Sequence, residues 1–124
     1  MKLTFRNTRA KGNHSEQVAV NYLIKQGLTL VEQNTHSRYG EIDIIMRAGE
    51  EWVFIEVRYR KTLHFGGGLE SVNYNKQQKL IKTAELYMQK HSKIYFDSCR
   101  FDVIELSGEL TKPTINWIQN AFSA

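Results

Sequence analysis

The stretch from Gly40 to Arg60 constrains the fold of this chain more than any other. Two alternating apolar runs flank Ala48-Gly49-Glu50-Glu51. Side chains alternate across a strand. In the first run Ile42, Ile44 and Met46 share one face, and Glu41, Asp43, Ile45 and Arg47 share the other. In the second, Val53, Ile55, Val57 and Tyr59 share a face opposite Trp52, Phe54, Glu56, Arg58 and Arg60. Gly49-Glu50 suits a two-residue hairpin turn with glycine at its first central position. That turn pairs Ala48 with Glu51, Ile45 with Phe54, Asp43 with Glu56, and Glu41 with Arg58. A three-residue loop would destroy this pairing.

The register sets Asp43 beside Glu56, with β-carbons roughly 5 Å apart. Carboxylates that close repel by a few kcal/mol at an effective dielectric of about 20. One of them can take up a proton, with a raised pKa. Alternatively a hard cation draws oxygens from both, and magnesium favours carboxylates, waters and phosphate oxygens. The bland alternative is an amphipathic hairpin with a solvated charged face. Glu56 argues against it, because it interrupts Val53-Phe54-Ile55 and Val57 where solubility needs no acid. Ile45, Trp52 and Phe54 on the same face point to a covered surface, where a carboxylate requires a partner. A lysine or arginine lodged in the gap between the two acids would remove the case for a metal.

The chain has 124 residues, enough for one core and one domain, 1–124, with residues 1–12 read as a flexible basic arm. No apolar run reaches the ~20 residues of a membrane span. The N-terminus is polar, and the lone Cys99 excludes an internal disulfide and a multi-cysteine zinc site. A cytoplasmic location is expected. The formal charge of +4 permits nucleic-acid binding without demanding it. The cations cluster as Lys2, Arg6, Arg9 and Lys11, then Arg58, Arg60 and Lys61, then Lys76, Lys79, Lys82, Lys90 and Lys93.

Periodicity places a first helix from His14 or Ser15 to Gln26, stopped by Gly27. Glu16 falls on its stripe with Val20 and Leu23, either as a first-turn acid or as a third carboxylate near the pair. A strand follows from Leu28 to about Thr35, then the hairpin, then a glycine-rich loop at Lys61–Glu70. A second helix over Asn75–Lys90 presents Gln77, Leu80, Ile81, Ala84, Tyr87 and Met88 inward. Cys99–Leu106 reads as an interior strand, with Cys99 a buried thiol and Asp102 a structural acid. A last segment, Ile115–Phe122, docks through Trp117 and Phe122. His14, His36, His64 and His91 lack the close spacing of a helical zinc site. Tyr59 and Tyr87 read as core.

The order helix, three strands, helix, strand, with this acid pattern, resembles the PD-(D/E)XK nuclease superfamily. Asp43 matches its first metal-binding acid. Glu56-Val57-Arg58 matches its acid-x-lysine triplet, with arginine for lysine, and Ile42 stands where a proline is usual. Glu16 matches the first-helix acid of archaeal Holliday-junction resolvases, and Gln77 and Lys79 lie where related enzymes keep a helper on the second helix. More closely, Asn34–Arg38, Gly40–Asp43, Phe54–Arg58 and the lysine-rich start of the second helix resemble the YraN family of small bacterial proteins. The resemblance runs from about Arg9 to Phe122. It implies an α/β, restriction-endonuclease-like αβββαβ core, with a mixed sheet flanked by helices. It further implies an endonuclease using Mg²⁺ or Mn²⁺ on DNA, with branched or damaged structures among the candidate substrates. Asp43 and Glu56 would hold metal. Glu16 and Gln77 would assist, and Arg58 would clamp the scissile phosphate. Arg58, Arg60, Lys61, Lys76 and Lys79 would contact nucleic acid. Arginine stays charged and cannot act as a base. The alternatives are therefore a catalytically weak or inactive nucleic-acid-binding module of the same fold and, more remotely, an adaptor whose acids meet a partner's basic residue. Cutting both strands favours a homodimer on symmetry grounds, though no residue pattern specifies one.

Overall fold

The computed structural model describes residues 8–61, 72–91 and 98–123. Helix α1 (Thr8–Lys25) leads into strands β1 (Thr29–Ser37), β2 (Gly40–Ala48) and β3 (Glu51–Arg60). Helix α2 (Tyr74–His91), strand β4 (Cys99–Ser107) and strand β5 (Thr114–Phe122) follow. The strands lie in the order β1-β2-β3-β4-β5. Among the described residues only the β3–β4 pair is parallel. A parallel pair needs a crossover, and α2 lies in the segment that makes it. This is the expected α/β class, a mixed sheet with two helices, consistent with a restriction-endonuclease-like core.

β3 is central and buried on both faces, which explains its near-continuous apolar run. Val53 and Ile55 pack under α1 with Ala19, Val20 and Leu23. Trp52 and Phe54 pack under α2 with Leu80, Ile81, Ala84 and Tyr87. The helices therefore cover opposite faces. Each of these large apolar side chains contributes about 1.5–3 kcal/mol through burial. Gly49 has φ 64°, and Glu50 is not among the positive-φ residues, as a glycine-first hairpin turn requires. Arg47 lies over the Trp52 ring at 4.4 Å and braces the same hairpin rung.

The structure differs from expectation at several elements. α1 starts at Thr8, well before His14. It takes in Arg9, Ala10 and Lys11, all good helix formers, from the stretch read as an arm. Residues 1–7 lie outside the described residues, as does the glycine-rich loop from 62 to 71, including His64. The last segment is a true strand, β5, paired with β4. Cys99 is exposed rather than buried, because it opens β4 at the sheet margin.

Candidate active site

The hairpin rungs include Ala48↔Glu51 and Ile45↔Phe54, as the turn chemistry dictates, and the ladder ends at Ile44↔Ile55. The next position along that register is Asp43 opposite Glu56. There the Val57 amide donates to Asp43 Oδ2 at 2.9 Å, where a β2 carbonyl would otherwise accept. On the other side of β2, Asn34 lies between the rungs Gln33↔Ile44 and Thr35↔Ile42, with φ 54°. Ile42 packs on the α2 side, apart from Ile44 and Met46, so the alternation of β2 breaks at Asp43 and Ile42 does not share their face as simple alternation predicts.

Glu56 is 5% exposed. Its Oε1 lies 3.1 Å from Lys76 Nζ and 3.3 Å from Arg58 Nη2. Lys76 is fixed by the helix cap, since its amide donates to Asn73 Oδ1 at 2.9 Å, an N-cap to N3 bond. Asp43 has the opposite environment. Burial, the Glu56 charge, the Glu16 charge and a carboxyl–carboxyl hydrogen bond to Glu56 push its pKa up to about 8, against the pull of the Val57 amide. Lys76 and Arg58 thus lie on Glu56 Oε1, while Asp43 Oδ2 takes the Val57 amide.

Glu16 reaches the same region from α1. Burial, then Glu41, and more weakly Glu56, raise its pKa, while a hydrogen bond from Asn34 lowers it. Its buried Oε2 has no hydrogen-bond partner among the described residues. In front of the acids is an open cleft of about 420 Å³, lined by Tyr39, Glu41, Asp43, Glu56, Lys76 and Lys79 among others. Among the described residues, no three His, Cys, Asp or Glu side chains form a ready-made metal cage. Two carboxylates with water and phosphate oxygens are, however, an ordinary magnesium donor set.

Asp43, Glu56, Arg58, Glu16, Lys76 and Lys79 are thus gathered at or beside one cleft. Gln77 is not: its Nε2 donates to the Val72 carbonyl at 2.8 Å, so it anchors the segment before α2 and does not line the cleft. Arg60 ends β3, Lys61 follows it, and neither lines the cleft. Glu41 does not form a ladder rung with Arg58, because the strands part first. It lies opposite His36, whose Nε2 is 3.7 Å from Glu41 Oε1. Lys76, expected only to contact nucleic acid, instead meets the buried acid. Asn34 and Tyr39 were missed as site residues. An asparagine inside a strand of Thr, Leu, Val and Gln was the available signal for the first.

Asp102 is the structural acid that it was read to be. Its buried carboxylate accepts from Arg100 Nε at 3.1 Å, Trp117 Nε1 at 2.9 Å and the Asn120 amide at 2.8 Å. Asn120 has φ 51°, so each edge strand carries a left-handed asparagine close to an aspartate of its inner neighbour. Asp102 is satisfied by donors, and Asp43 is crowded by acids. Tyr87 is core and His91 stacks on it at 4.2 Å. Tyr59 packs against the α1-side core and donates to the Gly108 carbonyl. The Cys99 thiol is pushed up by desolvation, then by Glu51 and Glu85, contrary to what a nucleophile needs.

Residues 15–106 match the model of a family described as uncharacterised protein family UPF0102. A UPF0102 protein of Legionella pneumophila (strain Corby) is 51% identical over 117 residues, covering 94% of this chain and 98% of its own length. Another, from Methylobacillus flagellatus, is 47% identical over 113 residues, covering 91% and 96%. A third, from Colwellia psychrerythraea, is 42% identical over 124 residues, covering 98% and 96%. Among solved structures, Pyrococcus furiosus SfsA in complex with Ca²⁺ gives a TM-score of 0.36 at 13% identity, over 95% of this chain and 66% of that one. A likeness that weak carries no functional assignment.

Proposed function

The chain belongs to the UPF0102 family, whose description assigns no activity, and we propose from its own geometry that it is a divalent-metal-dependent nuclease acting on DNA. One observation carries this reading: Asp43 and Glu56 meet in an open cleft where β2 and β3 part, and burial with the Glu56 and Glu16 charges raises the pKa of Asp43. Such a pair is unfavourable alone and favourable around a hard cation. Mg²⁺ or Mn²⁺ held there would supply an activated water and neutralise charge on a phosphodiester.

The chain's own residues divide the remaining work. Asp43 and Glu56 supply oxygens, and the Val57 amide fixes the Asp43 carboxylate plane. Glu16 Oε2, buried and unpartnered among the described residues, is placed to accept from a water in the site. Arg58 stays charged and so holds a phosphate oxygen without taking a proton. Lys76 supplies a second cation beside it, at the buried acid. Branched or damaged DNA is the proposed substrate class.

A second reading is a binding module of the same fold with no cleavage. It is favoured by the convergence of Lys76 and Arg58 on one Glu56 oxygen, which lowers that acid's demand for a metal. Titrating Mg²⁺ and Mn²⁺ into the purified protein, with cleavage assays on flap, junction and duplex substrates, separates the two. The nuclease reading expects a metal-induced rise in Tm. It also expects cleavage that Asp43→Ala and Glu56→Ala abolish without unfolding the chain. Metal binding without cleavage on any substrate would favour the module, and no affinity for nucleic acid at low salt would refute both.

A further inference from the structure

Beside the acidic cleft the β1–β2 turn is clasped onto α2. Ser37 Oγ lies 2.7 Å from Thr83 Oγ1, which donates to the Lys79 carbonyl at 2.9 Å. The Tyr39 amide donates to Ser37 Oγ at 3.0 Å. A Cβ on Gly40 would meet Lys79 Cβ at 3.6 Å, so turn and helix touch at van der Waals distance. The clasp holds the half-buried Tyr39 ring between two elements, and each element brings a cation to it. Arg38 Cζ is 5.0 Å from the ring centroid, and its Nη2 donates to the Tyr39 hydroxyl at 2.9 Å. Lys82 Nζ, from α2, is 5.1 Å from the same centroid.

Exposed lysines and arginines are usually free to wander, and ordering them on binding costs entropy. Here Arg38 and Lys82 are exposed yet gathered on one ring. They stand on a ridge between two clefts. One holds Asp43, Glu56, Lys76 and Lys79; the other, about 370 Å³, is lined by His36, Arg38, Lys90 and His91 among others. Of the acids around it, Glu41 lines the first cleft, Glu32 lines the second, and Glu85 follows Lys82 by three residues on α2.

We propose that Arg38 and Lys82, held together on Tyr39, are a preorganised contact for DNA backbone phosphates flanking the acidic centre, with the strand passing over the β1–β2 turn toward Lys90. The inference rests on the nuclease-or-binder reading of the cleft and adds the direction in which the substrate lies. The contact reads charge and not sequence, so its strength falls with salt.

The test measures affinity of the full chain for a fluorescent 30-nucleotide duplex by anisotropy, in EDTA, from low to moderate salt. The variant Arg38→Gln/Lys82→Gln keeps a polar, hydrogen-bonding side chain at both positions and removes two charges. The control Lys25→Gln/Lys112→Gln removes two exposed charges elsewhere, at the end of α1 and between β4 and β5. The ridge variant is expected to bind about tenfold more weakly at low salt, with a salt slope smaller by about two. The control should change affinity less than threefold, and Tyr39→Phe, which keeps the ring, should lie near wild type. Equal losses in ridge and control variants would overturn the proposal and leave the reading of the cleft intact. Absence of wild-type binding would overturn both.

Discussion

Replacing Asp43 with asparagine should make the metal-free protein more stable, and increasingly so as pH rises. In the unfolded chain this carboxyl titrates near 3.8, and in the fold its pKa is about 8. Between those values the folded state keeps a proton that the unfolded state has lost, so stability falls as pH climbs through the window. One full proton is worth about 1.4 kcal/mol per pH unit, giving an upper limit of roughly 6 kcal/mol across the window. Sharing of the proton with Glu56 and relaxation of the open cleft reduce this, and about 2 kcal/mol between pH 5 and pH 8 is the working figure. Asparagine keeps an oxygen for the Val57 amide and never ionises. The variant's advantage should open above about pH 4, where the unfolded chain loses this proton, and widen up to pH 8. From pH 5 to pH 8 its lead should grow by about 2 kcal/mol, or some 5–10 °C in Tm. Urea unfolding in EDTA at each pH, followed by tryptophan fluorescence, measures the difference directly, and groups titrating in both proteins cancel. A difference that stays flat from pH 5 to pH 8, or that shrinks, would refute the claim that Asp43 is held protonated by burial and by its acidic neighbours.

Asp102→Ala should destabilise the fold by about 3–5 kcal/mol in chemical denaturation, because Arg100, Trp117 and Asn120 all lose the acceptor that joins β5 to β4. Gln77→Ala should cost about 1 kcal/mol through the lost Val72 bond, while leaving nucleic-acid affinity unchanged in the anisotropy assay. Asn34→Val should cost about 1–2 kcal/mol more than Asn34→Gly, since φ 54° is adverse for a β-branched residue. The same comparison at Asn120, φ 51°, should give a similar gap in thermal melts.

The sequence by itself determined the hairpin, its turn and its register. Glycine at the first turn position and period-two alternation leave one pairing of the runs, and that pairing aims Asp43 at Glu56. It also determined the inward stripe of α2 and the buried strand β4, because apolar periodicity is a local property. Tertiary structure decided what local patterns cannot encode. Lys76 meets Glu56 only because the cap on Asn73 and the crossover bring α2 over β3. Gln77, one residue on, turns to Val72 instead, since neighbours on a helix point about 100° apart. The two aspartates 43 and 102 look alike in sequence, each an acid amid apolar strand residues. Which one is satisfied and which one is strained depends on what faces it, Arg100 and Trp117 in one case, Glu56 and Glu16 in the other. Electrostatic environment is a sum over residues distant along the chain, so the fold had to close before either carboxyl acquired its character.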